Sequence, residues 1–391
     1  MQHHEPFLPY GRQTITEDDI AAVVNVLQSP FLTQGPAVPA FEKAIAEEVG
    51  VEHAVAVNSA TSALHLSCLA LDLGPEDRLW TSPITFVASA NCGRYCGAEV
   101  DFVDIEPSTG LMCVKALAAK LEIAEHEGTL PKVVIPVHLC GTSCDMASIA
   151  ALAERYGFAV IEDASHAIGG SYQQKRVGSC THSKITVFSF HPVKILTTGE
   201  GGVATTNDPR LAQRMADLRS HGITKNFNRF EKPAAGPWSY EQQDLGFNYR
   251  LTDLQAALGL SQLQRLDVAV KERNRLLQQY RKLIDHMPLK FLEIPEDVIS
   301  ALHLAVIRLD NCCNSRHRQI FEGLRDHGIG VQLHYMPVHL QPYYRRLDFK
   351  EGDYPNAEAY ANDAISLPLY PGLQDADQQR VVNALASLLS T

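Results

Sequence analysis

The stretch AVAVNSATSALHLSCLAL, residues 54–71, decides the fold class. Ala54–Val57 is a short apolar run of strand length, and Asn58, Ser59, Thr61 and Ser62 then open a helical segment, Ala60–Leu71. Short polar side chains suit that place because they satisfy the free amides of a first helical turn. A strand that feeds directly into a helix is the repeating unit of an α/β fold. The same alternation recurs at Arg78–Trp80, Ala98–Ile105, Lys132–His138 and Phe158–Ile161, with helical stretches such as Asp145–Tyr156 between them. A mostly parallel mixed sheet flanked by helices follows.

Downstream the pattern changes. From Lys184 to Thr206 two shorter strand-like pieces, KITVFSF and GGVATT, are separated by the polar loop HPVKILTTGE. Leu251–Met287 reads as one long helix, with Leu254, Ala257, Leu258, Leu263 and Leu266 near helical spacing. Leu302–Leu309 (strand), Arg316–His327 (helix), Gly330–His334 (strand) and Asp375–Leu389 (helix) then make a smaller α+β unit. The expected division is a large domain with an N-terminal arm over residues 1–258 and a small C-terminal domain over 259–391. Asn226–Gln243, rich in aromatics, Gly and Pro, reads as a surface loop.

Bulk properties narrow the function. The chain has 391 residues, 45% of them hydrophobic and 20% charged, enough for a substantial core. Net charge is 34 − 45 = −11 with scattered basic residues, so nucleic acid is not an expected partner. No apolar stretch reaches membrane-spanning length, and the N-terminal MQHHEPFLPYGRQTITEDD lacks the marks of a targeting peptide. The nine cysteines show no disulfide spacing, which suits reduced thiols in a cytoplasm. Cys92/Cys96 and Cys140/Cys144 are four apart, but neither pair is C-x2-C and no second pair matches it, so buried packing is favoured over metal.

Three segments carry chemistry. Phe158–Asp163 is an apolar run ending in two carboxylates, and in open α/β sheets ligands sit beyond such strand ends. Asp163 there is either a turn cap or the partner of a protonated ring nitrogen. Lys194, in a loop close to Gly199, Gly201 and Gly202, is either a solvated surface lysine or an amine able to form a Schiff base if its surroundings lower its pKa. Asn58–Ser62 at a helix start is either ordinary capping or a phosphate seat. There is no G-x-G-x-x-G and no Walker A sequence to anchor a dinucleotide or nucleoside triphosphate.

Taken together, the ordered segments LTQGPAVPAFEKAIAEEVG, AVNSATSALHL, SPITFVASAN, VIEDASHAIG, SFHPVKILTTGEGG, RSHGI and GFNYRLTDLQAALGLSQL resemble the DegT/DnrJ/EryC1/StrS sugar aminotransferases, which are fold-type I pyridoxal-phosphate enzymes. The likeness runs from about Tyr10 to the C-terminus. It implies pyridoxal 5'-phosphate as cofactor, held on Lys194, with Asp163 on the pyridine nitrogen and His166 near the phenolic oxygen as the catalytic set. By the same likeness Phe86 stacks on the ring. Ala60, Thr61 and Ser189 bind the phosphate, joined by Asn248 from a neighbouring subunit in a homodimer with shared sites. No metal is implied.

Within the family the likeness leans, through LTQG, SPITFVA, SFHPVK and VQLHYMPVH, to members that act in pseudaminic acid and flagellin glycan synthesis. These aminate C4 of UDP-2-acetamido-2,6-dideoxy-β-L-arabino-hexos-4-ulose with L-glutamate as donor. Tyr10, Phe31, Leu32 and Thr33 then line the sugar site. Other nucleotide-linked keto sugars, of the perosamine, 4-amino-arabinose or 3-amino type, are the alternative substrates. His334 and His339 are candidates for sugar-nucleotide contact, with a structural role the more frequent reading of each. Arg219, Lys225 and Arg229 are candidates for the diphosphate. A related sugar dehydratase has histidine in place of the lysine, which Lys194 argues against. A non-catalytic sensor on the same fold has no need of a Schiff-base lysine.

Overall fold

The computed structural model describes residues 6–390; the reading of the extreme N-terminus, residues 1–5, lies outside the described residues. Among the described residues, seven strands form the main sheet: His53–Val57 (β1), Arg78–Thr81 (β2), Glu99–Phe102 (β3), Val133–Ile135 (β4), Ala159–Asp163 (β5), Ile185–Ser189 (β6) and Gly202–Thr206 (β7). Their order is β1-β7-β6-β5-β4-β2-β3. All neighbours are parallel except those of β7, which runs antiparallel to both β6 and β1. The architecture is therefore α/β with a mostly parallel sheet, as the alternation predicts.

Both faces of this sheet are covered, which is why its central strands read as unbroken apolar runs. Alternate residues point to opposite sides. Val133 and Ile135 join Leu64, Leu66 and Val187 in one core, while Val134 and Val160 join Leu117, Met146 and Ile149 in another. Phe41, Phe188 and Val203 build a third core toward the β7 end.

Parallel strands end on a common edge. The register pairs Val57 with Gly202, Ser189 with Gly202, and Asp163 with Val187. The start of helix Ala60–Ala70, the end of β5, the end of β6 and the start of β7 thus meet at one place. Gly202 is required there: a Cβ on it would sit 2.5 Å from the Ala60 amide nitrogen and 2.5 Å from the Ser59 carbonyl carbon.

A smaller antiparallel sheet is built from Leu289–Phe291 (β8), Ala305–Leu309 (β9) and Ala364–Leu367 (β10), with β9 in the middle. Its core is shared with helices Leu266–Ile284, Asn314–Asp326 and Asp375–Leu389, the last with the predicted bounds.

Two expectations are corrected. The long helix over Leu251–Met287 is two helices, Asp253–Leu263 and Leu266–Ile284, parted at Gln264–Arg265. At the break Arg265 reaches Asp19 (2.8 Å), a buried carboxylate that also accepts from Ser261 (2.6 Å) and Gln262 (2.8 Å). The predicted strand Gly330–His334 is only a bridge from Gln332 to Ser366. Its backbone divides between two partners, since the Gly330 amide is taken by the Leu8 carbonyl (2.6 Å) instead of continuing a ladder along β10.

Candidate active site

The sheet edge where Asp163, Ser189 and Gly202 meet opens into a cavity of about 690 Å³. Its walls include Tyr10, Ala60, Thr61, Phe86, Asp163, His166, Ser189 and Lys194, residues that lie far apart in the sequence. The site is built from the ends of β5 and β6, the first turn of Ala60–Ala70, the β6–β7 loop and the His334–Tyr335 segment.

Asp163 closes β5 and is buried, so its charge needs partners. Ser89 Oγ donates to Oδ2 at 2.5 Å, while the Ser165 amide (3.1 Å) and hydroxyl (2.6 Å) both donate to Oδ1. Ser89 is itself paired with Thr85 Oγ1 at 2.7 Å, which completes a short chain of hydroxyls behind the carboxylate. Three donors on its two oxygens fix the orientation of the carboxylate.

Lys194 lies in the β6–β7 loop, half-covered by its own chain. Among the described residues no hydrogen bond or ion pair holds its ammonium. Surrounding protein atoms remove water from it and pull it down to about 8, against the opposing pull of Asp163. A lysine so lowered is partly neutral at physiological pH and able to act as nucleophile or base.

Three of the four histidines that line the cavity are lowered by it. Burial, then the nearby Lys194 charge, push His166 well below the ordinary imidazole range and His334 to about 3. His303 is depressed as well, by burial and then by its neighbours His166 and Lys194. All three are neutral, so they add hydrogen-bonding groups to the wall without adding positive charge. His166 Nε2 pairs with Tyr335 Oη at 3.1 Å, and its ring lies 4.5 Å from that of His303. His334 Nδ1 pairs with Ser366 Oγ at 2.8 Å, and its ring lies 5.3 Å from that of Tyr10.

The helix Ala60–Ala70 is capped by Ser59, whose side chain accepts from the Ser62 amide at 3.1 Å. The amides of Ala60 and Thr61 are left over by helix geometry and open to the cavity beside the Ser189 hydroxyl. Free first-turn amides together with a hydroxyl are an anion seat.

The residues present fit a ring that carries a basic nitrogen, a phenolic oxygen and a phosphate. His166 Nδ1 is buried without a partner among the described residues, a cost that a ligand oxygen at that position removes. Asp163 supplies the anion for the nitrogen, and Phe86 is 59% exposed on the cavity wall, a flat apolar surface free to cover a ring.

Not every predicted residue joins them. Phe31, Leu32 and Thr33 are exposed outside the cavity, with the Leu32 carbonyl occupied by the Asp253 amide at 3.0 Å. Asn248 pairs with Ser220 in an isolated bridge and does not line its own chain's cavity. His339 is fully buried against Glu358 (2.9 Å) away from the cavity, whereas His334 is part of the wall. Arg219 is tied to Glu42 and the Ala56 carbonyl, and Arg229 to Asp217, so neither is free for a diphosphate. Ser89, His303 and Tyr335 went unpredicted. Ser89 and Tyr335 lie inside quoted motifs, yet nothing in those motifs says which hydroxyl reaches Asp163 or His166.

The model of the DegT/DnrJ/EryC1/StrS aminotransferase family matches residues 13–386. The Bacillus subtilis spore coat polysaccharide biosynthesis protein SpsC is 40% identical over 394 residues, covering 100% of this chain and 99% of that protein. Among solved structures, Helicobacter pylori PseC, described as an aminotransferase involved in the biosynthesis of pseudoaminic acid, superposes with a TM-score of 0.89 at 31% identity, covering 98% of this chain and 99% of that one. The PMP-form of the Streptococcus pneumoniae putative sugar aminotransferase Spr1654 gives a TM-score of 0.90 at 29% identity with the same coverage.

Proposed function

We propose that this chain, which belongs to the DegT/DnrJ/EryC1/StrS aminotransferase family, transfers an amino group from L-glutamate to C4 of a UDP-linked 4-keto-6-deoxy-N-acetylhexosamine, with pyridoxal 5'-phosphate as cofactor. The observation that carries the reading is the convergence of Lys194 and Asp163 on one cavity rimmed by the open first turn of helix Ala60–Ala70. Bound pyridoxal phosphate supplies an electron-poor ring that holds the amino group between donor and acceptor.

The chain's own residues do the rest. Lys194 would hold the cofactor, and its amine, near 8, is suited to taking the proton from the donor's α-carbon and delivering one to the sugar carbon. Asp163, fixed by Ser89 and Ser165, keeps the ring nitrogen protonated. His166 offers its unpartnered Nδ1 to the phenolic oxygen, Phe86 covers the ring, and Ala60, Thr61 and Ser189 seat the phosphate. Tyr10 lines the sugar end of the same chain's cavity. Phe31, Leu32, Thr33 and Asn248 fall outside that cavity, and we assign them to the site of a second copy in a homodimer.

The likeness to Helicobacter pylori PseC favours the UDP-linked N-acetyl sugar of pseudaminic acid synthesis. The likeness to SpsC favours a second reading, a keto sugar destined for another surface polysaccharide. Incubation with L-glutamate and a panel of UDP-, dTDP- and GDP-linked 4-keto sugars separates them. A 4-amino product from the UDP N-acetyl sugar is expected; turnover of only dTDP or GDP sugars overturns the assigned sugar, and no turnover of any keto sugar overturns the transaminase reading.

A further inference from the structure

Tyr335 lies on the cavity wall, and amino transfer as derived above gives it no part. Its Oη is 3.1 Å from His166 Nε2, and the two rings are nearly parallel, 26° apart with centroids at 6.1 Å. The backbone beside Tyr335 is held in place. Tyr360 Oη donates to the His334 carbonyl at 2.8 Å, and His334 Nδ1 pairs with Ser366 Oγ at 2.8 Å. Phe86 packs near the tyrosine ring, with centroids 6.3 Å apart.

Each ring of the pair carries one exchangeable hydrogen. Burial keeps the His166 imidazole uncharged and pushes the Tyr335 phenol above its ordinary range, so neither changes its proton count at neutral pH. Two arrangements of the hydrogens fit the 3.1 Å contact. If His166 donates from Nε2, the phenol hydrogen has no acceptor among the described residues, and the buried Nδ1 keeps a bare lone pair. If Tyr335 donates, its hydrogen is used, Nε2 accepts it, and the imidazole hydrogen sits on Nδ1. Asp163, Tyr10 and Cys140 stand around the phenol, and Lys194, His303 and His334 around the imidazole. Among the described residues none of these six hydrogen-bonds to either ring. The second arrangement therefore leaves fewer buried polar atoms unpaired, and the one it leaves is a donor.

We propose that Tyr335 is a positioning residue that fixes His166 in its Nδ1–H form, so that the cavity presents a neutral donor to an oxygen of the bound ring. The inference rests on the pyridoxal-phosphate reading, which supplies that phenolic oxygen. The tautomer decides the sign of the contact. A hydrogen on Nδ1 donates to the oxygen and favours its charged form, whereas a lone pair there repels it.

Neutron diffraction from deuterium-exchanged crystals, with and without cofactor, locates the hydrogens. Deuterium on His166 Nδ1, and on Tyr335 Oη directed at Nε2, is expected in both; deuterium on Nε2 overturns the proposal. Tyr335→Phe keeps the ring and removes the donor. Because the Nδ1 hydrogen favours the deprotonated oxygen, its loss is expected to raise the pH midpoint of the bound-cofactor absorbance by roughly one unit or more. Weaker cofactor binding with an unmoved midpoint marks a merely structural tyrosine and also overturns the proposal. If that variant fails to fold, the wild-type neutron maps still decide. Wild-type protein that shows no bound-cofactor absorbance defeats the pyridoxal-phosphate reading instead, and the cofactor-free crystal then settles the tautomer alone.

Discussion

Ser89 donates a 2.5 Å hydrogen bond to Asp163 across a sequence separation of 74 residues, from the first turn of helix Ala88–Tyr95 to the end of β5. The carboxylate is thereby tied on one oxygen while Ser165 ties the other. Hydrogen bonds to charged groups contribute about 1.5–3 kcal/mol. Ser89→Ala is therefore expected to lower kcat by on the order of 10- to 100-fold, with Lys194 still able to capture the cofactor. Steady-state kinetics beside an absorbance spectrum of the bound cofactor checks this; unchanged kcat removes Ser89 from the account.

Lys194 sets a pH dependence. Because burial lowers it to about 8, its neutral fraction grows as pH rises through that value. Covalent capture of pyridoxal phosphate by cofactor-free protein is expected to accelerate with pH and level off above about 8. Asp163 pulls the amine upward, so Asp163→Asn is expected to move the midpoint lower. Stopped-flow capture rates across pH decide it, and a midpoint near the ordinary lysine value of about 10.4 contradicts the reading. Lys194→Ala is expected to lose both the bound-cofactor absorbance and turnover.

Gly202 is a steric prediction. Its missing side chain lets β7 lie against the backbone of Ser59 and Ala60, and Gly202→Ala must push the helix start away. Cofactor affinity is expected to fall at least about tenfold, which corresponds to about 1.4 kcal/mol. Titration of the apoprotein with pyridoxal phosphate measures it, and an unaltered dissociation constant excludes a phosphate seat at Ala60–Thr61.

Glu162 is a stability prediction. Fully buried beside the site, it accepts from His138 Nε2 (2.7 Å), Ser183 (2.5 Å) and Thr186 (3.0 Å). Burial raises its carboxyl, but the His138 contact and the two hydroxyls outweigh that and hold it below the usual carboxylate range. A depressed carboxyl contributes stability above its unfolded value, and that stability is lost as pH falls through the folded value. Glu162→Gln is expected to cost roughly 3 kcal/mol at neutral pH, with a shallower acid limb than the wild type. Urea melts at several pH values test both parts; parallel acid limbs overturn the assignment.

How much was legible depended on whether a signal was local. The apolar run ending at Asp163, the polar opening of Ala60–Ala70 and the terminal helix Asp375–Leu389 all stood in the sequence, because strand burial and helix capping are written within a few residues. The helix break at Gln264–Arg265 was not legible, since Arg265 turns toward Asp19 at the other end of the chain. Nor was the difference between His334 and His339. Both are buried histidines within one short motif, but the partner of one is Ser366 on a cavity wall and that of the other is Glu358 in the core.

The sequence by itself determined the α/β alternation, the capped helix that opens on Ala60 and the residue types amino transfer requires. Tertiary structure alone decided that Lys194 is a lowered amine and not a solvated one. That property comes from the desolvation imposed by atoms brought in from distant parts of the chain, such as helix Ala60–Ala70 and the His334–Tyr335 segment, which outweighs the opposing charge of Asp163 at the end of β5. A pKa is a property of surroundings, and surroundings assembled from five places in the chain cannot be read from any one of them.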